Sequence, residues 1–585
     1  MTVRKADSMF SPQPNGLRFA VMCNGTEFHR WQADAIRDLI AKGHKVVLLI
    51  RDARRISSSA RQKKKGIKPA QKKLFNYLMR VMFEPDAKRL VDLSAELQNV
   101  DTLACHVEKR GSAEYFIGAE VQAIHTYRPD FILRFAFNII RGEILTVAKY
   151  GVWSFHHDDE MKYRGGPAGF WEIYKGDPVT GAIMQRLTER LDAGIILKKA
   201  YLKTVFHSYK GNLEQLFTCS SVWPGMVADE IRENPEQTLL PSGTNAPIYK
   251  VPGAFRSLIF LFLLFRNRLL FYYRELFMAE IWNVGLIKKP IEEVLFGPEK
   301  LRPGDITWLR LFSATKYLAD PMGFMDGPKL HILVEDYSYK TQKANISEII
   351  WNSTRDSFSA PIRIIEEKDH LSYPFIVSHE KSVYCIPESY RSGMIILYKR
   401  NYSEESFIEE KILLSGVNAI DTTLVYHDNL WWLFFTEKIN SWTHLQLYYA
   451  EELMGPYKPH RRNPVKTDIR SSRPGGTPFI HNNILYRPAQ DCSKAYGGSL
   501  TINRVDKLTP DEYDETPVAN LEPLRGSPFN KGLHTISQVG KYTLIDGKKY
   551  RFNYHFFKHQ LTLKIANLRK TDVQKNPGND RNTPR

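Results

Sequence analysis

Residues 17–50, LRFAVMCNGTEFHRWQADAIRDLIAKGHKVVLLI, decide the fold of the first half of the chain. The apolar run 17–23 predicts a strand, and it leads into a stretch whose apolar residues recur at helical spacing. Residues 45–50 form a second run that is apolar throughout, which is typical of a strand buried on both faces. A strand, a helix and another buried strand indicate a doubly wound α/β domain. The chain has no GxGxxG motif at this turn, so dinucleotide binding is not indicated.

The α/β pattern continues through further apolar runs and fades near Pro241; these runs are 130–135, 151–155, 181–187 and 194–197. We therefore predict an α/β domain with a mostly parallel sheet over residues 17–240, after a tail over 1–16. Residues 51–73, RDARRISSSARQKKKGIKPAQKK, interrupt it with a strongly basic insertion. Such an insertion is either a solvated loop or a docking arm for phosphate or anionic lipid.

The second half of the chain carries a repeat. Five segments share an apolar strand opening, a turn and a second strong strand; they start at residues 319, 371, 420, 473 and 534. Intervals of this size suit a four-stranded propeller blade of about 40 to 50 residues. We therefore predict an all-β five-bladed propeller over residues 301–565, followed by a tail over 566–585.

Composition limits the kind of protein. A chain of 585 residues is expected to hold at least two hydrophobic cores. Its 82 Lys and Arg exceed 64 Asp and Glu by 18, so an anionic partner is expected, either nucleic acid, a membrane surface or a phosphorylated substrate. The five cysteines are scattered without zinc-like spacing, and the N-terminus has no apolar signal segment. These features predict a cytoplasmic protein with reduced thiols and no bound metal.

The longest apolar run, residues 257–265 (SLIFLFLLF), lies in the predicted linker 241–300 and is flanked by Arg256 and Arg266. It is too short to span a bilayer, which takes about 20 residues. Two alternatives remain: a helix buried between domains, or a basic amphipathic helix that places residues 254–283 on the inner face of an anionic membrane.

Residues 151–199 contain the chemically informative pattern. His156 and His157 follow a predicted strand, Tyr163, Arg164 and Gly165 open a Gly/Pro turn, and Asp192 precedes the next strand. A histidine, a turn and a returning carboxylate at the carboxyl edge of a parallel sheet can form an acid/base pair.

This segment resembles the formyltransferases that use N10-formyltetrahydrofolate. Their Asn-x-His, RG turn, TG hairpin and D-x-G hairpin correspond here to Ser154-Phe155-His156, Arg164-Gly165, Thr180-Gly181 and Asp192-Ala193-Gly194. The resemblance implies that an amine attacks a formyl carbon through a tetrahedral intermediate. It implies that His156 polarises the formyl oxygen and that Asp192 orients the histidine. Ser154 replaces the family asparagine, so a donor is altered, with His157 as a candidate for compensation.

The resemblance also assigns binding residues. Residues 133–145, LRFAFNIIRGEIL, resemble the folate-side loop of the family, which implies cofactor contacts from Phe135, Phe137, Asn138 and Ile139. Tyr163, Arg164 and Gly165 become candidates for substrate binding. Arg134 and Arg141 either face an anionic ligand or form surface salt bridges, and the second role is favoured.

The repeat region resembles the N-terminal propeller of plant glucosamine inositolphosphorylceramide transferases through the strings ADP, SYPF, IPES, DTTL, RSSRP and YRPAQD. It is also similar to arabinanase- and levansucrase-type glycoside hydrolases of five-bladed fold. The resemblance suggests inward carboxylates and a sugar- or phosphate-binding cluster; its members are Asp320, Asp421, Arg473, Arg487 and Asp491. A clear proton donor is missing, so recognition of a carbohydrate or glycolipid is favoured over catalysis or a scaffold role.

These features predict N-formylation of an amino sugar, nucleotide- or lipid-linked, in surface polysaccharide or glycolipid synthesis, with the propeller holding the glycan. The alternative is a glycan-binding or glycosyl-transferring protein whose formyltransferase fold does not formylate. Formylation of an aminoacyl-tRNA is disfavoured, because a propeller stands where a small RNA-binding barrel is expected.

Overall fold

The computed structural model describes residues 16–54, 70–190, 194–235, 241–310, 313 and 315–575. The chain divides into two compact units, Met1–Phe265 and Arg266–Arg585. Each unit is described by itself below.

The first unit is built on a seven-stranded sheet. Its strands are β1 (Arg18–Cys23), β2 (Lys45–Asp52), β3 (Thr102–Cys105), β4 (Phe131–Arg134), β5 (Val152–His156), β6 (Val179–Arg186) and β7 (Ile195–Lys203). Their order across the sheet is β7-β6-β5-β4-β1-β2-β3. Strands β1 to β5 all pair in parallel with their neighbours in this group. Strand β6 pairs antiparallel with β5, and β7 pairs antiparallel with β6. The sheet is therefore mostly parallel, as predicted, and its carboxyl edge is where loops can assemble a site.

The sheet is buried on both faces because its strands are apolar at successive positions. In β1, Phe19, Val21 and Cys23 enter one hydrophobic cluster, while Ala20 and Met22 enter the other. Helices cover these faces, with bounds Arg30–Ala41, Ala70–Val81, Gly118–Thr126, Phe170–Lys175, Tyr209–Ser220, Trp223–Glu233 and Ala254–Phe277. Shorter strands lie outside the main sheet at Glu27–His29, Leu90–Asp92, Val107–Arg110, Ala113–Phe116, Ile139–Arg141, Arg164–Gly165 and Ile248–Tyr249.

The predicted basic insertion is only partly described. Strand β2 extends to Asp52, and the helix Ala70–Val81 begins inside the predicted segment 51–73. Residues 55–69, which carry most of its basic side chains, lie outside the described residues.

The described residues of the second unit form five antiparallel sheets, each of four or five strands. Sheet one holds Lys316–Asp326, Lys329–Ser338, Lys343–Asn352, Ser357–Phe358 and Ile362–Ile365; sheet two holds Ser372–His379, Ser382–Glu388, Met394–Asn401 and Ser406–Ser415. Sheet three holds Ala419–His427, Leu430–Glu437, His444–Ala450, Lys458–Pro459 and Lys466–Thr467; sheet four holds Phe479–His481, Ile484–Asp491, Ser499–Leu508 and Tyr513–Leu521. Sheet five joins Ile536–Val539 and Tyr542–Arg551 to Ala279–Ile287 and Ile306–Trp308. The number of sheets and their strand order are those expected for five propeller blades.

The first strands of three sheets share one irregularity. Asp320, Tyr373 and Asp421 each have positive φ, at 53°, 41° and 52°. In each case the register shifts at that residue, which marks a bulge. Non-glycine residues held in this region of backbone space are concentrated at functional sites, so the bulges draw attention to these three side chains.

Three predicted boundaries are corrected. The strand Ala279–Ile287 lies inside the predicted linker 241–300, yet it pairs along its whole length with Tyr542–Arg551. The predicted tail 566–585 is helical at first, because a helix spans Tyr554–Lys575. The apolar run 257–265 falls within the helix Ala254–Phe277, but the proposed membrane segment 254–283 ends in that buried strand. A short helix, Ile291–Phe296, completes the unit.

None of the helices among the described residues is long and apolar enough to cross a bilayer.

Candidate functional site

The carboxyl ends of β4 and β5 bring the chemically informative residues together. Val152 pairs with Ile132 and Trp153 with Leu133 in the parallel register of these strands. The next residues, Ser154 and Arg134, therefore lie side by side at the edge of the sheet. His156 ends β5 two residues later.

Arg134 holds the hydroxyl that replaces the family asparagine. Its Nε and Nη2 donate to Ser154 Oγ at 3.0 and 2.8 Å. Its Nη1 donates to the carbonyl oxygen of Asn138 at 2.6 Å. The forked guanidinium of Arg134 and the hydroxyl of Ser154 thus occupy the place of the family's single amide. The prediction that Arg134 forms a surface salt bridge is wrong, because its guanidinium makes these contacts instead.

His156 is oriented by the loop that follows it. Its Nε2 lies 2.9 Å from the carbonyl oxygen of Tyr163, and His156 itself is only 7% exposed. Because a carbonyl can only accept, Nε2 donates in this contact.

His157 does not compensate for the missing asparagine. Its ring stacks on Phe155, meets the edge of Trp31 and lies 3.0 Å from Ser220 Oγ. Burial lowers its pKa to about 3, so it stays neutral within the core.

A cavity of about 640 Å³ opens at this edge of the sheet. It is lined by Ser154, His156 and the cationic side chains of Lys109, Arg134, Arg141 and Arg190, and Glu189 also borders it. The volume lies in the usual range for small-molecule sites. An excess of cations in a concave site favours an anionic ligand.

The predicted cofactor residues separate into two groups. Asn138 and Ile139 line the cavity, and Asn138 is fixed by Glu114, which accepts from its backbone N–H and its side-chain amide at 2.9 and 2.8 Å. Phe135 and Phe137 pack instead against aromatic rings, Phe135 on Trp31 and Phe137 on Phe116. Their prediction as cofactor contacts is corrected, because both side chains serve packing.

The predicted substrate residues of the turn also differ in role. Gly165 lines the cavity. The Tyr163 side chain is buried against Tyr249, and Arg164 donates to the carbonyl oxygen of Ala246, so both stabilise the turn. Asp192, the predicted partner of His156, lies outside the described residues.

In the second unit, the first strands of the sheets meet around a buried polar cluster. Arg473 Nε donates to Asp421 Oδ2 at 2.6 Å, and its guanidinium lies 5.0 Å from the centre of the Tyr496 ring. Thr535 donates to Asp320 Oδ1 at 2.8 Å, and the backbone N–H of Tyr373 donates to Asp320 Oδ2 at 3.3 Å. The structure therefore brings the predicted Asp320, Asp421 and Arg473 into one neighbourhood.

Carboxyl groups in this cluster are perturbed. Burial raises the pKa of Asp320 to about 6 and holds those of Glu335 and Glu388 well above their usual range. Burial opposes the charged form of His534, but the carboxylates of Asp546 and Asp320 outweigh it and raise the pKa of the imidazole. Such perturbed groups are candidates for binding or proton transfer.

Asp320, His534 and Asp546 form a group with spacing suited to a metal ion, with ligand atoms within 4.8 Å of one another. His534 Nδ1 already contacts Asp546, and Nε2 lies 3.6 Å from Asp320 Oδ1. A charged imidazolium can therefore balance both carboxylates in the place of a cation.

Arg487 pairs inside sheet four, which corrects its prediction as a ligand contact, whereas that of Asp491 stays a prediction. Arg487 is 1% exposed and bonds Glu515 through Nη2 at 2.6 Å, so it stabilises sheet four. Asp491 accepts from the backbone N–H of Ser493 at 2.9 Å and shapes a local turn.

Sequence reasoning missed Lys109, Gln185 and Arg190, which complete the cavity from distant parts of the chain. No motif marks them. The arginine inside the apolar run DFILRF was the available signal for Arg134.

Comparisons with known proteins match different parts of this architecture. The family described as glucosamine inositolphosphorylceramide transferase 1, N-terminal, matches residues 310–533. Glucosamine inositolphosphorylceramide transferase 1 of Oryza sativa subsp. japonica is 32% identical over 210 residues, 35% of this chain and 28% of the relative. Methionyl-tRNA formyltransferase of Clostridium perfringens (strain 13 / Type A) is 28% identical over 141 residues, 22% of this chain and 46% of the relative.

Among solved structures, the α-L-arabinanase of Cellvibrio cellulosa is 14% identical with a TM-score of 0.27, covering 34% of this chain and 77% of that chain. In the two sequence comparisons, the matched region covers 28% of the length of the rice transferase and less than half of the methionyl-tRNA formyltransferase. The chain is thus similar in sequence to parts of two classes of transferase.

Proposed function

We propose that the first unit transfers a formyl group from N10-formyltetrahydrofolate to the amine of an amino sugar, nucleotide- or lipid-linked, in the synthesis of a surface polysaccharide or glycolipid. The second unit binds the glycan portion. The observation that carries this proposal is the meeting of Arg134, Ser154 and His156 on one wall of a cationic cavity.

The residues present fit this cosubstrate. The cavity volume suits a folate-sized ligand, and its cations suit the carboxylates of a folate tail or the phosphates of a nucleotide sugar. Asn138 and Ile139 would hold the cosubstrate from the loop after β4. When bound, it supplies an activated formyl carbon to a nucleophilic amine.

Ser154 supplies a donor for the developing oxyanion, and Arg134 supports it. Ser154 Oγ accepts both guanidinium bonds, which leaves its own O–H to donate. The charge of Arg134 strengthens this donor, since a charge-assisted hydrogen bond is about twice as strong as a neutral one. This pair takes the role of the family asparagine.

His156 acts on the proton of the amine. With Nε2–H held by the Tyr163 carbonyl, Nδ1 is the ring nitrogen assigned to accept that proton. The sequence-based expectation is polarisation of the formyl oxygen by His156; the contact of Nε2 with the Tyr163 carbonyl favours the base role instead.

The test is turnover of N10-formyltetrahydrofolate by the full chain with a panel of nucleotide-linked amino sugars. We expect amine-dependent turnover that His156→Ala abolishes, while His125→Ala, an exposed histidine on the helix Gly118–Thr126, leaves it unchanged. Turnover that persists in His156→Ala would exclude the assigned base.

A second candidate function is glycan binding or glycosyl transfer by the second unit, with a first unit that does not formylate. The match of residues 310–533 to a glycosyl-transferring family favours it, as does the Arg473–Asp421 pair beside Tyr496. A charged fork stacked beside an aromatic ring is suited to a sugar or phosphate.

The two functions separate experimentally. If no amine supports formyl turnover and glycan binding falls in Arg473→Lys but not in Ile439→Ser, the second function stands alone. Ile439 is 89% exposed, which makes it a matched surface control.

A further inference from the structure

The helix Ala254–Phe277 has two apolar faces. One face is buried: Phe260 is 1% exposed and stacks on Phe170 with ring centroids 4.2 Å apart. The other face is exposed to solvent, and its residues recur three or four positions apart: Phe255, Leu258, Phe262, Phe265 and Leu269. This spacing places them in one stripe along the helix. We call this set the exposed stripe.

The large apolar side chains of the stripe are mostly exposed. Phe255 is 76% exposed, Phe262 63% and Phe265 62%. In the first unit, the helix Ala70–Val81 reaches the same Phe170 through Phe75 and exposes Tyr77 and Val81. Contiguous exposed aromatic and aliphatic side chains mark an interaction surface.

Arginines border the stripe. Arg266 lies four residues after Phe262, and Arg268 lies three residues after Phe265, so both stand at its edges. The helix holds four arginines and one glutamate, a net charge of +3. Apolar side chains flanked by arginines match the boundary between acyl chains and anionic headgroups.

The charge also argues against self-association. A second copy would bring two sets of the edge arginines, Arg266 and Arg268, together, which costs energy, whereas an anionic bilayer offers both an apolar layer and opposite charge. We propose that the exposed stripe docks this protein on the surface of an anionic lipid bilayer, with Phe255, Phe262 and Phe265 entering the acyl boundary and Arg266 and Arg268 meeting headgroup phosphates. This proposal is independent of the reaction assigned to the first unit.

The test is sedimentation of the full chain with phosphatidylcholine vesicles that contain or lack phosphatidylserine. We expect binding that requires phosphatidylserine and weakens with salt. The double variant Phe262→Ser/Phe265→Ser removes two large apolar groups, so its partition coefficient should fall on the order of 100-fold. Ile439→Ser is the control and should bind as the wild type does.

The exposed positions allow the double variant to fold, which circular dichroism verifies. Equal binding to both kinds of vesicle would overturn the anionic-lipid assignment. Undiminished binding by the folded double variant would overturn the role of the stripe. Concentration-dependent dimerisation that the double variant abolishes, without vesicle binding by the wild type, would assign the stripe to a second copy of the chain.

Discussion

Replacing Arg134 tests whether a guanidinium has taken over from the family asparagine. Arg134→Met removes two bonds to Ser154 Oγ, of 3.0 and 2.8 Å, and one of 2.6 Å to the carbonyl oxygen of Asn138. Loss of one oxyanion donor lowers kcat by about 10² to 10³, or about 2.7 to 4 kcal/mol. We expect a fall of that size in kcat for formyl transfer, with little change in KM for the amine. The kcat of Arg134→Lys should lie between those of the wild type and Arg134→Met, because lysine keeps the positive charge but lacks the forked donors of the guanidinium.

The matched control is Arg141→Met, which removes a cation from the same cavity. It should raise KM for N10-formyltetrahydrofolate and leave kcat nearly unchanged. In the Arg134→Met background, Ser154→Asn should recover part of kcat by restoring an amide donor. Alone, Ser154→Asn should be inactive, since its larger side chain would meet the guanidinium. If Arg134→Met keeps kcat within about threefold of the wild type, the guanidinium does not strengthen the oxyanion donor of Ser154.

Three further predictions concern stability. Arg487→Met should lower the free energy of unfolding of the second unit by about 3 to 5 kcal/mol, because it leaves buried Glu515 without its main partner; Arg504→Met, at an exposed pair, should cost about 0 to 1 kcal/mol in the same denaturant titration. Burial lowers the pKa of His157 from 6.5 to about 3, so the unfolded chain binds the proton first and stability falls as pH drops between these values. The loss is about 1.4 kcal/mol per pH unit, and His157→Phe should remove it in thermal unfolding followed across pH. Burial raises the pKa of Glu388, so its contribution is lost as pH rises, and Glu388→Gln should raise the unfolding midpoint most at high pH.

The two-part architecture was predictable because its patterns are local and periodic. The apolar runs that become β1 and β2 lie next to each other in sequence, and the five repeats each specify one sheet. The prediction that the propeller begins at residue 301 was wrong, because the earlier strand Ala279–Ile287 pairs with Tyr542–Arg551, more than 250 residues away. No local pattern reports so distant a partner.

The site was predictable only where a motif carried it. Ser154, His156 and Gly165 stand in the segment that resembles the formyltransferases, and they border the cavity. The contact of Arg134 with Ser154 was not predicted, because the sequence does not show that the parallel register of their strands sets the two residues side by side. Arg487 was misassigned because the sequence does not show that its partner, Glu515, lies two strands away in the same sheet.

The most direct measurement follows the formyl carbon. The full chain is incubated with N10-formyltetrahydrofolate labelled at that carbon and with nucleotide-linked amino sugars, and the products are separated and analysed by mass. The proposed function predicts that the label appears on the sugar amine with the wild type and not with His156→Ala. Label that remains on the folate or appears only as free formate, with every amino sugar supplied, would contradict it.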